Sequence, residues 1–267
     1  MLILIGLFVL GGLFSGFTAG LFGIGGGSFL IPMFLYLLPK LGTSEAQVMH
    51  QAVATSLAII VPSTLSASYE QYKLQHLDVV VLKKWIPPVF LGLVLTSLGF
   101  HRLSSSMLQI IFIIYLLCCA GYMLFSKKYP PEQRAKSISR GSYYIAGFLI
   151  GVLSVLLGIG GGTMTTPYFT WYCYPFKKAI AISSVTGVFI GILGSISMII
   201  AGWHQSGLAP YSLGYVSLFA TAILTPFCLI SARVGAKVGN QIENKTLNLL
   251  YISFLLCIAG FVALHLK

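Results

Sequence analysis

Apolar residues run through this chain in long uncharged stretches, 2–39 and 179–203 among them. These reach or exceed the roughly 20 residues that cross a bilayer as a helix. Short polar segments separate them. The pattern predicts spans at 2–22 and 27–38, then 47–69, 78–100 and 106–125. After a polar stretch it predicts 141–158 and 163–175, then 178–202, 212–234 and 246–265. The segments 27–38 and 163–175 are too short to cross comfortably alone. The expected fold is an all-α polytopic membrane protein.

Composition points the same way. Of 267 residues, 57% are hydrophobic and only 8% are charged. A soluble domain carries about 25% charged residues, so this chain cannot coat a water-facing surface. Soluble enzymes, secreted disulfide scaffolds and disordered regulators are excluded. Five cysteines (Cys118, Cys119, Cys173, Cys228, Cys257) show no metal spacing and lie in or beside apolar stretches, as packing thiols do. The first residues lack the Lys or Arg of a cleavable signal peptide, so a retained first helix is expected.

An internal duplication organises the chain. Residues 16–32, GFTAGLFGIGGGSFLIP, recur at 151–167 as GVLSVLLGIGGGTMTTP. Later, LLCCAG at 116–121 recurs as LLCIAG at 255–260, and Ala54-Thr55-Ser56 pairs more loosely with Ile182-Ser183-Ser184. Each half therefore has one order of parts: a helix, a GIGGG break with a short apolar segment, and three long helices. The expected units are a first repeat at 1–125, a basic cytoplasmic linker at 126–140 and a second repeat at 141–267.

The net charge of +11 comes from basic clusters between spans. These are topology determinants that stay in the cytoplasm, not a nucleic-acid surface. Suppose each helix–break–segment unit is a hairpin that enters and leaves on one side, with 127–140 cytoplasmic. Thirteen Lys and Arg then fall inside, and only Lys40, Arg102 and Lys267 outside. If each unit crosses once, the split becomes nine to seven. The hairpin arrangement is expected, with both termini outside. Each half then makes an odd number of net crossings, so the halves form inverted-topology repeats, the ground plan of many secondary transporters.

The breaks carry the candidate chemistry. Each glycine costs about 1 kcal/mol relative to Ala inside a helix. Clustered as Gly25, Gly26 and Gly27, and as Gly160, Gly161 and Gly162, glycines interrupt the helix and free backbone N–H groups. The following segment then starts with unpaired N–H groups and the positive end of its dipole, which suits an anion. The alternative is a tight hairpin that needs small residues for packing. Ser28 and Thr163 follow the breaks, with Thr165 and Thr166 just beyond the second. Thr55, Ser56, Ser183 and Ser184 lie in the next long helices. These hydroxyls can donate to an anion's oxygens, or bond back to their own helices. Gly12, Gly16 and Gly20, with Gly147, Gly151, Gly187 and Gly191, read as helix-packing stripes.

The doubled GIGGG-Ser/Thr…Pro signature, with HQAVATSL at 50–57 and GAKVG at 235–239, resembles the sulfite exporter family of the TauE/SafE type over nearly the whole chain. Ile182-Ser183-Ser184 stands where that family more often has a Gly-Thr-Ser-like triplet. The resemblance implies export or uptake of small sulfur-containing anions such as sulfite, sulfoacetate or other organosulfonates.

Absences narrow the function. Glu45, Glu70, Asp78, Glu132 and Glu243 fall at span ends or in loops, whereas proton relays and cation sites keep a carboxylate in mid-membrane. No metal cluster, cofactor motif or catalytic pair can be assembled, so neither an enzyme nor a cofactor is expected. His50 reads as an interfacial histidine or a gate, and Arg233 as a snorkelling cation or an anion attractor. The expectation is a secondary transporter of small oxyanions working by alternating access. A passive channel and a non-transporting accessory subunit are the alternatives. The expected setting is a bacterial cytoplasmic (inner) membrane, and the partners are a small anion, the lipid bilayer and possible pairing as a homodimer. Nucleic acid is not expected.

Overall fold

The computed structural model describes residues 2–23, 25–97, 99, 103–125 and 138–264. Most of the proposed linker 126–140 lies outside them, as do Arg102, Glu132 and Lys267. The first half forms α1 (Leu2–Phe22), α2 (Gly27–Leu37), a 3-10 turn (Pro39–Leu41), α3 (Val48–Lys73), α4 (Val79–Ser97) and α5 (Ser105–Phe125). The second half forms α6 (Arg140–Leu156), α7 (Gly162–Trp171), α8 (Phe176–Ala201) and a small hairpin of β1 (Ser212–Leu213) with β2 (Val216–Ser217). Then come α9 (Leu218–Gln241) and α10 (Asn244–Leu264). Among the described residues, seven helices are long and apolar enough to cross a membrane. The protein is an integral, multi-pass, all-α membrane protein.

Helix starts follow local chemistry. Asp78 Oδ1 accepts the Val81 N–H at 3.1 Å, Ser104 Oγ that of Met107 at 3.2 Å, and Ser139 Oγ that of Ser142 at 3.2 Å. Each satisfies one of the orphan donors of a first turn. One expectation needs correction. Residues 212–217 are not the start of a helix but the β-hairpin, with Gly214 at φ 55°, and α9 instead runs on to Gln241. Contacts made by this segment explain the difference. Ser212 Oγ accepts from Gln51 Nε2 at 2.6 Å, and the Ser217 N–H donates to Thr55 Oγ1 at 3.0 Å. The hairpin pairing, the Tyr215 N–H on Met198 O of α8 and the Ser217 N–H on Thr55 of α3 satisfy backbone that would otherwise need a helix.

α3 is the central helix, with 78% of its apolar window buried against 33–50% for the other spans. It packs antiparallel to α8: Leu57 lies beside Gly194, Val61 beside Gly191 and Thr64 beside Gly187. α1 runs parallel to α9, with Gly12 against Leu224, Gly16 against Cys228 and Gly20 against Ala232 and Ala236. The equivalent pair repeats this. α6 runs parallel to α4, with Gly147 against Pro88 and Gly151 against Val89. These are the predicted small-residue stripes. A Cβ at Gly16 would stand 2.6 Å from Cys228 Cα, so close backbone approach requires glycine there.

The connecting segments gather at two ends. At one, the Ser44 N–H donates to Gly207 O at 2.9 Å, and Ser105 Oγ bridges the Met49 N–H and Ala46 O. At the other, Tyr174 donates to Asp78 at 3.3 Å, Lys177 reaches Asn240 O, and His76 feels Lys177 and Lys178. Among the described residues, Lys73, Lys83, Lys84, Arg140, Lys177, Lys178 and Lys245 cluster at the second end, and Lys40 stands at the first.

Candidate functional site

Both GIGGG sequences break the chain in the same way. Gly26 (φ 76°) caps α2 and Gly161 (φ 72°) caps α7, each in the left-handed region. Only glycine enters that region at no steric cost. Gly26 O accepts from the Phe29 and Leu30 N–H groups at 3.1 Å each, and Gly161 O from those of Met164 and Thr165 at 3.3 and 2.9 Å. The N–H groups of Gly27 and Ser28, and of Gly162 and Thr163, open their helices and have no intrahelical carbonyl to pair with.

Each break lies against the middle of a long helix. A Cβ at Gly25 would touch Ile60 and Thr64, half-way along α3, and Gly160 O lies beside Gly187, near the middle of α8. The breaks also meet each other: a Cβ at Gly27 would stand 3.1 Å from Ile159 Cα. Two helix N-termini, from opposite halves of the sequence, thus come together where α3 crosses α8.

The hydroxyls divide into three groups. The first holds the breaks from across the molecule. Ser56 on α3 donates to Gly158 O in the second break at 2.8 Å, and Ser183 on α8 donates to Gly23 O in the first at 2.6 Å. The second group is occupied elsewhere. Thr55 accepts from the hairpin's Ser217 N–H, Ser184 bonds back to Ile180 O at 2.9 Å, and Thr163 pairs with the Tyr115 hydroxyl. The third group comprises Ser28, Thr165 and Thr166. All three are fully buried, and their hydroxyls make no hydrogen bond within the chain.

Three contributors escaped the sequence reading. Ser15 donates to Gly26 O at 3.3 Å, Ser63 to Gly25 O at 3.2 Å, and Tyr115 belongs to α5, remote in sequence from Thr163. Ser15 had no signal in the duplication, which sets it opposite Ile150; Ser154, 3.2 Å from where a Cβ on Gly161 would be, matches Ala19 instead. Tyr115 had none.

His50 lies in the first turn of α3. It is 4% exposed and stacks on Tyr215, with ring centroids 5.4 Å apart. Arg233 is exposed on α9. The described carboxylates are Glu45, Glu70, Asp78 and Glu243, and none lies mid-helix. Among the described residues, no three His, Cys, Asp or Glu side chains converge as a metal site requires.

Relatives match this sequence along most of their length. A probable membrane transporter protein of Haemophilus influenzae is 33% identical over 248 residues, covering 93% of this chain and 94% of the relative. Similar proteins with the same description occur in Methanocaldococcus jannaschii (28% identical, covering 95% of this chain and 93% of the relative) and Bacillus subtilis (26%, covering 88% and 89%). No solved structure matches significantly. The profile of the sulfite exporter TauE/SafE family matches residues 7–262, and the chain belongs to that family.

Proposed function

We propose that the protein is a secondary transporter of small sulfur-containing oxyanions, sulfite or an organosulfonate, and that the anion binds where the two breaks meet. The observation that carries this is the trio of buried, unpaired hydroxyls at Ser28, Thr165 and Thr166. Leaving a buried hydroxyl unpaired costs roughly 1–3 kcal/mol. Such groups persist where a ligand satisfies them. They sit in the opening turns of α2 and α7, where free N–H groups and helix dipoles already favour negative charge. With no carboxylate mid-helix among the described residues, nothing there repels an oxyanion or recruits a cation.

The antiparallel packing of α3 and α8, equivalent helices of the two halves, supports an inverted-repeat design around this site. Alternating access is then a change in which break opens to its own side. The basic end faces the cytoplasm in this reading. Catalysis has no place in it.

The test is flux through proteoliposomes containing this protein alone. Accumulation of labelled sulfite or sulfoacetate against its gradient supports a secondary transporter. Equilibration without accumulation indicates a channel, and absence of flux for every anion tried indicates an accessory protein.

A further inference from the structure

A tryptophan near the end of a membrane span ordinarily turns its N–H to the headgroups. Trp85, in the second turn of α4, is instead fully buried, and its Nε1 makes no hydrogen bond within the described residues. An enclosed, unpaired donor is costly in an apolar surround. Tyr168 stacks on the ring with centroids 5.0 Å apart, Phe169 meets it edge-on at 5.0 Å, and Tyr143 edge-on at 6.3 Å. Tyr168 and Phe169 follow Thr165 by three and four residues on α7, so they stand one turn beyond it on the same face. Thr165 carries one of the unpaired hydroxyls of the second break. The path along α4 gives the same depth. Val89, one turn after Trp85, packs on Gly151, and the neighbouring Ile150 lies 3.6 Å from where a Cβ on Gly161 would be. Two buried, unpaired donors, the Thr165 hydroxyl and the Trp85 N–H, thus lie about one helical turn apart, with Trp85 towards the basic end. The charges there suit an anion. Lys83, Lys84, Lys177 and Lys178 belong to that end. Asp78 precedes Trp85 by about 10 Å of helix, and its carboxylate is engaged by the Val81 N–H and the Tyr174 hydroxyl.

We propose that the Trp85 N–H is a further donor to the transported anion, and that it selects short organosulfonates with two anionic ends over sulfite. The inference rests on the transport reading above and names the substrate class of that same site. Sulfite carries all its oxygens on one sulfur, so the breaks alone hold it. The gap from Thr165 to the level of Trp85 is one turn, about 5.4 Å. A two-ended anion such as sulfoacetate spans it, with its sulfonate at Thr165 and its carboxylate accepting from the indole N–H. A hydrogen bond from a neutral donor to a charged acceptor is among the stronger kinds, and here it forms where water is excluded.

The experiment uses the full chain in lipid nanodiscs with Trp171→Phe and Trp203→Phe. Both of those tryptophans are 60% exposed, so flux should be retained and Trp85 alone then reports. Ultraviolet resonance Raman follows the indole ring mode that moves when the N–H becomes hydrogen-bonded. Saturating sulfoacetate should move it, whereas saturating sulfite, or chloride at equal ionic strength, should not. In calorimetric titration, Trp85→Phe should weaken sulfoacetate roughly tenfold and leave sulfite within about twofold. Thr165→Val should weaken both. An unshifted mode at saturating sulfoacetate, equal losses for both anions in Trp85→Phe, or binding of sulfite alone would overturn the proposal. Should Trp85→Phe fail to fold, the Raman measurement decides by itself. Flux of both anions with an unshifted mode removes this inference and keeps the transport reading. A shifted mode without flux keeps the site and removes transport, and binding of neither anion removes both.

Discussion

Ser183 on α8 donates a 2.6 Å hydrogen bond to the carbonyl oxygen of Gly23, so a helix of the second half holds the break of the first. Ser56 on α3 returns the favour at Gly158 O, at 2.8 Å. Ser56→Ala and Ser183→Ala each leave a buried carbonyl short of a donor, and each should destabilise the protein by about 1–3 kcal/mol. Ser184→Ala should stay within about 0.5 kcal/mol, because its hydroxyl only bonds back to Ile180 O in its own helix. Thermal unfolding in detergent, followed by size-exclusion, gives the order. Equal effects at Ser183 and Ser184 would count against the clamp.

The unpaired hydroxyls should behave in the opposite way. Ser28→Ala, Thr165→Val and Thr166→Val remove buried polar atoms that have no partner in the chain. Stability should hold or rise. Anion binding should fall roughly tenfold to a hundredfold per hydroxyl, the worth of one hydrogen bond to a charged group. Calorimetric titration with sulfite and sulfoacetate, alongside a melting curve, separates the two quantities. Loss of stability with unchanged binding would make these residues structural.

Gly26→Leu and Gly161→Leu should each abolish transport per folded molecule. Leucine is strained at φ values of 76° and 72°, and at Gly26 its Cβ would lie 2.6 Å from Ser15 O. Gly16→Leu should act differently, lowering the folded yield by forcing α1 away from Cys228 on α9. Flux normalised to the monodisperse peak distinguishes the outcomes. If only one break matters, the symmetric mechanism fails.

Orientation is testable by accessibility. Gln75→Cys, at the basic end, should react only with reagents that enter the cytoplasm. Ser206→Cys, in the segment before the hairpin, should label from outside intact cells. Labelling of both from the same face would end the hairpin arrangement.

His76 should carry an acid-sensitive increment of stability. Burial first, then Lys177 and Lys178, lower its pKa in the folded protein, while its Nδ1 holds Gln71 Oε1 at 2.9 Å. The unfolded chain therefore takes up the proton at higher pH than the folded one. The contribution is fully present above the ordinary histidine pKa and is lost as pH falls through it towards the lowered folded value. Melting temperatures between about pH 8 and pH 5 should drop less in His76→Gln than in the unaltered protein. An identical drop in both would remove His76 as the cause.

Much of the molecule was legible in its sequence, for physical reasons. A helix must be about 20 residues long and largely apolar to cross a bilayer, so long apolar runs announced α1, α3, α4, α5, α8 and α10 to within a few residues. Clustered glycines announced both breaks, because no helix tolerates four in five positions. Which side chains face the breaks was not legible. In a soluble helix a polar stripe marks the outward face, but here lipid and protein are both apolar, and no stripe distinguishes them. Thr55 and Ser56 are neighbours pointing about 100° apart on one helix. Only the packing of α3 against α8 and the hairpin decides that Ser56 reaches Gly158 while Thr55 reaches Ser217. Likewise the segment 212–217 reads as helix until its backbone pairs within the hairpin and with Met198 and Thr55 on α8 and α3. The bilayer constrains what the sequence must be, whereas partners distant along the chain decide what each hydroxyl does.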